Sequence, residues 1–229
     1  MQTILPKDSK EVLLVYSQLT KFQRKVKNTL DFIQLSLTVT PNVYAAVSWG
    51  KDSIVMLNLC QQIKPDIKVI SFGHPDRELL DNYVEVEQNY CQRFKTNLET
   101  IYLEGDHVPD KVKKAKLKEQ YQLGFIGLRK EESKSRAITL TQPLRQYQDG
   151  TWRACPLGNW TAWDIWAYII KYDLPYLNSY NITGIEGRTS DHISKSLDKT
   201  YQLKRLEYFK RFNNNYYQKL CREIAESEL

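Results

Sequence analysis

A chain of 229 residues, 41% hydrophobic and 26% charged, with nine glycines and eight prolines scattered without period, fits one globular α/β domain with a small helical appendage and excludes disorder and collagen-like repeats. Its net charge of +6 and pI near 9.0 suit a polyanionic ligand, and equally serve solubility. No leader-type apolar region and no apolar run of about 18 residues occurs, and Cys60, Cys91, Cys155 and Cys221 form no C-x-x-C pair, so the expectation is a cytoplasmic protein with no membrane partner, no zinc knuckle and no iron–sulfur cluster.

In chain order, apolar residues recur at helical spacing from Glu11 to about Leu37 (Val15, Leu19, Phe22, Val26, Leu30, Ile33), which predicts one N-terminal helix ended by Pro41 and Asn42. Residues 43–47 predict a buried parallel strand, 48–53 a polar turn with a glycine, and 54–62 a helix. The unit recurs as a strand over 67–72, a loop over 73–76 and a helix over 78–94, followed by a third strand over 98–103. Residues 111–120 read as a lysine-rich helix and 124–128 as a strand ending in Arg129. A polar stretch through Lys134 and a loop around Asp149 and Gly150 follow. Thr161 and Asp164 have capping-box spacing at the start of a helix over 162–171, which Leu174 and Pro175 end. Residues 191–226 read as mostly helical, rich in Tyr, Lys and Arg, with a break at 213–215. Such alternation predicts a parallel sheet covered on both faces, with ligands at the carboxyl ends of the strands, where the loops after Val47 and Phe72 lie. The expected organisation is an N-terminal helical segment over 1–40, a nucleotide-binding α/β domain over 41–180 and a helical C-terminal extension over 181–229.

Ser48-Trp49-Gly50-Lys51-Asp52-Ser53 joins a strand end to a helix start through small and polar residues, an arrangement in which backbone N–H groups and hydroxyls hold phosphates and Lys51 adds a charge. The alternative is a tight turn with a serine cap. The generic G-x-x-x-x-G-K-[ST] loop is absent, because Asp52 follows Lys51 and position 45 is Ala45; a carboxylate there points to magnesium or pyrophosphate handling.

The segment resembles the PP-loop of N-type ATP pyrophosphatases, Ser-Gly-Gly-x-Asp-Ser, with Trp49 in place of the first loop glycine, which implies that residue 49 need not adopt a conformation open only to glycine. Two further stretches, residues 127–137 (GLRKEESKSRA) and 155–169 (CPLGNWTAWDIWAYI), are similar to the branch holding phosphoadenylyl-sulfate reductases and sulfate adenylyltransferase small subunits. The resemblance runs in register from Val43 to Pro175. It implies an adenine nucleotide alpha hydrolase-like (Rossmann-like, HUP-type) parallel sheet flanked by helices. It places Arg129 and Arg136, with Gly127 and Ser135 beside them, against the phosphate or sulfate end of a nucleotide; a solvated, salt-bridged loop is the alternative. Adenine and ribose contacts are implied around Phe72, Gly73, His74 and Glu78, although the family's aspartate is Ser71 here. For Trp160, Trp163 and Trp166 core packing is the expected role.

The resemblance implies a nucleotide-phosphate site at Ser48, Trp49, Gly50, Lys51, Asp52 and Ser53, with Lys51, Asp52, Arg129 and Arg136 as catalytic candidates and Asp52 helping to place Mg2+. The expected reaction is cleavage of ATP between its α and β phosphates to adenylylate an acceptor such as sulfate, an activity that in the family involves a partner subunit. The reductases' Glu-Cys-Gly-Leu-His motif is missing, Cys221 sits in a helical pattern as a structural thiol, and Gly187-Arg188-Thr189-Ser190 lacks the cysteine many relatives carry there. A sulfonucleotide-binding protein or reductase using a thiol from another chain is the first alternative. A non-catalytic nucleotide sensor or nucleic-acid-associated regulator is the second, since Lys111, Lys113, Lys114, Lys116, Lys118 and the tyrosine-rich tail could meet nucleic acid. Homo-oligomerisation is left open.

Overall fold

The computed structural model describes residues 7–73, 81–102 and 117–185, and toward the C-terminal end Leu206, Glu207, Phe209, Lys210, Asn214, Tyr217, Gln218, Cys221 and Arg222. Helix α1 (Lys7–Gln18) and helix α2 (Thr20–Ser36) precede strand β1 (Val43–Val47), helix α3 (Lys51–Ile63) and strand β2 (Lys68–Phe72). Helix α4 (Tyr83–Phe94), β3 (Leu98–Ile101) and β4 (Leu123–Ile126) follow, then a 3-10 turn (Lys130–Glu132), α5 (Lys134–Thr139), β5 (Leu144–Gln146), β6 (Trp152–Ala154), α6 (Ala162–Tyr172) and α7 (Tyr180–Thr183).

The strands form one sheet in the order β3-β2-β1-β4-β6-β5, parallel except for β5, which runs antiparallel to β6 at the edge. The architecture is an α/β sheet with flanking helices. Side chains alternate across it: Val43, Ala45 and Val47 of β1 and Leu123 and Phe125 of β4 enter the main core with the helices, while Tyr44 and its register partner Gly124 turn to the opposite face. Helix α3 is buried almost all round because it lies between the sheet and a second layer of α2 and α6.

Three sequence expectations change. The single helix from Glu11 to Leu37 is two helices, broken at Leu19, whose backbone is extended at φ −63 and ψ 138. The Ser17 hydroxyl donates to Leu14 O at 2.6 Å and the Gln23 amide to Ser17 O at 2.6 Å, so side chains satisfy the carbonyls the break exposes. The loop around Asp149 and Gly150 is the turn of a β5–β6 hairpin that the sequence did not predict, closed by Tyr147 N to Thr151 O at 2.8 Å, with Gly150 at φ 82. The polar stretch after Arg129 holds the 3-10 turn and α5.

The capping box at Thr161 forms as its spacing predicts: Thr161 Oγ1 accepts from Asp164 N and Asp164 Oδ2 from Thr161 N at 2.7 Å. Trp160, just before α6, and Trp166 are core residues, but Trp163 is 42% exposed, the one exposed position between buried Ala162 and Asp164 in the first turn of α6. Helices α1 and α2 share this core through Leu13, Phe22, Val26 and Ile33. Residues 111–116 and 187–205 fall outside the described residues, as does most of the expected C-terminal helix. Among the described residues no helix is long and apolar enough to cross a membrane.

Candidate functional site

The site grows from the β1–α3 connection. Val47 ends the strand, Ser48 is exposed, and Trp49 turns inward with φ 61, fully buried and 5.9 Å from the Tyr90 ring of α4. The residue therefore takes the left-handed backbone that its replacement of glycine was expected to make unnecessary. The loop imposes it: Ser53 Oγ accepts from Ser48 N at 3.3 Å and donates to Gly50 O at 2.9 Å, folding both ends of the turn onto one hydroxyl.

Gly50 then starts α3 with an extended backbone and no side-chain cap. The first helical turn thus presents its amides, and the positive end of the helix dipole, toward the loop. Lys51 N donates to the Tyr180 hydroxyl at 3.2 Å, and the Lys51 ammonium lies 5.0 Å from the centre of that ring. Tyr180 is placed by hydrogen bonds at the start of α4, where Asp81 accepts from Ser179 N at 3.0 Å and Asn82 from Asn178 N at 2.8 Å.

Two cations meet on Asp52. Lys51 Nζ lies 3.3 Å from Oδ2, and Arg129 Nε 2.5 Å from Oδ1. The Lys51 side chain is only 2% exposed, and burial pushes its pKa below the usual lysine value, with the Asp52 charge offsetting part of that. Burial works against charge on Arg129 too, yet Asp52, Glu132 and Glu131 together hold its pKa above the usual value. Arg129 Nη1 donates to Glu131 Oε2 at 2.5 Å, and the same oxygen accepts from Ala162 N at 2.7 Å, which links the arginine to the start of α6. Gly127 lets β4 approach α3: an added Cβ would lie 2.9 Å from the Asp52 carbonyl carbon and oxygen. Its place is thus explained by backbone packing.

The structure brings Ser48, Trp49, Gly50, Lys51, Asp52, Ser53, Gly127 and Arg129 together. Ser135 is exposed on α5, and Arg136 pairs with Glu132 one turn back, the carboxylate that also accepts from Arg129 N at 2.9 Å, so Arg136 reaches the group through Glu132. Phe72 ends β2, the strand beside β1, and Gly73 follows it. Gly73 is tied to Ile101 O at 3.0 Å, and a Cβ there would strike the Tyr102 ring at 2.4 Å. His74 and Glu78 lie outside the described residues. Among the described residues, Ser71 Oγ and Trp49 Nε1 are buried without a hydrogen-bond partner. Sequence reasoning missed Glu131, hidden in a run of charges, and Tyr180, which carries no motif signal.

Asp52, the loop's carboxylate and the expected magnesium ligand, is engaged by cations of the chain itself. Each of its oxygens already faces a cation, and among the described residues no group of three His, Cys, Asp or Glu side chains is placed to hold a metal. Positive charge at the loop comes from Lys51 and Arg129. Burial pushes the Cys91 and Cys155 thiols up to about 11, and that of Cys60 higher still, which disfavours the thiolate needed of a nucleophile. The arrangement can hold an oxyanion against the α3 amides with Lys51 and Arg129 as counter-charge.

An uncharacterized protein from Methanocaldococcus jannaschii, MJ0066, is 29% identical over 182 residues, covering 68% of this chain and 35% of that protein, so the chain spans about a third of that relative's length. An adenosine 5'-phosphosulfate reductase from Halalkalibacterium halodurans is 30% identical over 173 residues, covering 66% of this chain and 74% of that one. Among solved structures, the FMN adenylyltransferase of Candida glabrata superposes with a TM-score of 0.60 at 15% identity, over 86% of this chain and 77% of that one, a likeness of fold. Residues 42–183, the stretch that carries the β1–α3 loop, Arg129 and Tyr180, match the phosphoadenosine phosphosulfate reductase domain, and the chain belongs to that family.

Proposed function

We propose that the chain binds ATP or a related adenylate with its phosphates at residues 48–53, and that it cleaves ATP between the α and β phosphates to adenylylate an acceptor. The observation that carries this reading is the start of α3, where Gly50 supplies no side-chain cap, with the buried Lys51 and Arg129 converging on Asp52 beside it. In the reaction an acceptor oxygen attacks the α-phosphorus, the bond to the α–β bridging oxygen breaks, and pyrophosphate leaves with that electron pair. Loop amides and Lys51 hold the leaving pyrophosphate, and Arg129 exchanges Asp52 for a phosphate oxygen. Such catalysis is positioning and charge stabilisation, and it needs no protein nucleophile. The adenylyltransferase likeness agrees with this chemistry at the level of fold.

A second reading has one specific support: the H. halodurans relative is named an adenosine 5'-phosphosulfate reductase. On this reading the same loop holds a sulfonucleotide and the reducing thiol comes from another chain, since the buried cysteines here are poor thiolates. Incubation with ATP and candidate acceptors separates the two. AMP, pyrophosphate or an adenylylated product is expected; sulfite release from a sulfonucleotide only when an external thiol protein is added, with ATP untouched, would favour the second reading.

A further inference from the structure

The face of the sheet turned away from α3 carries a cavity of about 460 Å³ that the nucleotide-phosphate reading leaves unused. Gly124 and Tyr44 form its floor. A Cβ on Gly124 would lie 2.7 Å from the Tyr44 hydroxyl, so the glycine is what lets that ring lie over the strand. The Tyr121 ring stands 5.2 Å from Tyr44. On the hairpin side, the guanidinium groups of Arg145 and Arg153, register partners on β5 and β6, lie 5.7 and 5.5 Å from the Tyr147 ring.

The described lining of this cavity carries three cations and one carboxylate. Lys118, Arg145 and Arg153 line it, and none of the three makes an ion pair among the described residues. Asp149 is the lining carboxylate, and it is turned into its own turn, accepting from Thr151 N at 3.1 Å and Thr151 Oγ1 at 2.7 Å. Burial, with Tyr147 nearby, pushes the Tyr44 phenol up to about 12, so its hydroxyl stays a neutral donor at working pH.

Aromatic faces beside guanidinium groups that make no ion pair among the described residues recognise one chemistry well, a planar base joined to a phosphate. The volume falls at the low end of small-ligand sites, about 300–1,000 Å³. We infer that this cavity is a second, separate site for a nucleotide unit, its base against the tyrosines and its phosphate on Arg145 and Arg153. A free nucleoside monophosphate and a single-stranded nucleic acid both present that unit.

The test is fluorescence anisotropy of a labelled eight-residue oligouridylate with the full chain, with unlabelled UMP as competitor. Binding is expected, at least tenfold weaker in the double variant Arg145→Ala/Arg153→Ala and unchanged in Lys51→Ala, with the salt slope reduced by about one per arginine removed. Displacement by UMP at concentrations similar to the unlabelled strand identifies a free nucleotide as the source; displacement by the strand alone identifies nucleic acid. A 4-thiouridine strand photocrosslinked to the wild-type protein should mark Tyr44, Tyr121, Tyr147 or Trp152, a readout that does not depend on how the variants fold. Absence of binding in both arms, equal affinity in the arginine double variant, or crosslinks confined to other residues would overturn the inference. Loss of binding in Lys51→Ala alone would also overturn it, by assigning the oligonucleotide to the α3 loop.

Discussion

Trp49 sets two energies against each other at one residue. A left-handed backbone costs an L-residue roughly 1–2 kcal/mol. Truncating a buried indole costs about 3–5 kcal/mol. Packing against Tyr90 therefore outweighs the strain, and Trp49→Gly, which removes both, should lower stability by about 2–3 kcal/mol in chemical denaturation. Unchanged stability in that variant would mean that the glycine geometry, not the indole, governs the position. The residue types of the site were legible in the sequence: Lys51, Asp52 and Arg129 stand out by chemistry and spacing. Their mutual arrangement was not, because Arg129 follows Asp52 by 77 residues and only the β1–β4 pairing brings them together. Arg136 carried the same sequence signal as Arg129, but it sits on α5 and meets the Arg129 segment through Glu132 of the 3-10 turn, which also accepts from Arg129 N.

At the scale of elements, the start of α3 and the end of β4 form one unit. With a Cβ at Gly127 only 2.9 Å from Asp52 backbone atoms, Gly127→Ala must push β4 and α3 apart. The expected cost is about 1–3 kcal/mol, as for other overpacked sites. Nucleotide affinity should fall with it, because the shift separates Arg129 from Asp52; retention of wild-type stability and affinity, by denaturation and calorimetry, would contradict this. β1 and α3 were readable as a buried apolar run, a polar glycine turn and a helical segment, and α6 from the capping-box spacing of Thr161 and Asp164. The β5 and β6 strands, three residues each, are too short to show alternation, and the Asp149–Gly150 turn signal stood without recognisable strands around it. The break at Leu19 was hidden because apolar spacing continues through it and the compensation comes from Ser17 and Gln23 side chains.

Across the whole molecule, Asp164 joins the N-terminal helices to the sheet domain. Its carboxylate accepts from Thr161 N and Thr161 Oγ1, from Tyr16 of α1 at 2.8 Å and from Lys25 of α2 at 2.5 Å. Burial alone would raise its pKa, but the hydrogen bonds from Lys25, Thr161 and Tyr16 hold it below the usual carboxylate value. The folded-state pKa is depressed, so this stabilisation is present above the unfolded carboxylate value of about 3.9 and is lost as pH falls through the lower folded value. Asp164→Asn should cost about 3 kcal/mol near neutrality, the lower end for a broken buried pair because Lys25 is partly exposed, and should flatten the acid limb of the stability profile. An unchanged acid limb in denaturation measured from pH 7 to pH 3 would contradict that role. Phosphate binding at the α3 loop is tested most directly by calorimetry of ATP, and of a sulfonucleotide, with the wild type and with a folded Lys51→Ala protein. The expected result is binding by the wild type that weakens by about 1–3 kcal/mol in the variant, the scale of a charge-assisted contact. Equal affinity in the two proteins would contradict the assignment of residues 48–53 as the phosphate site.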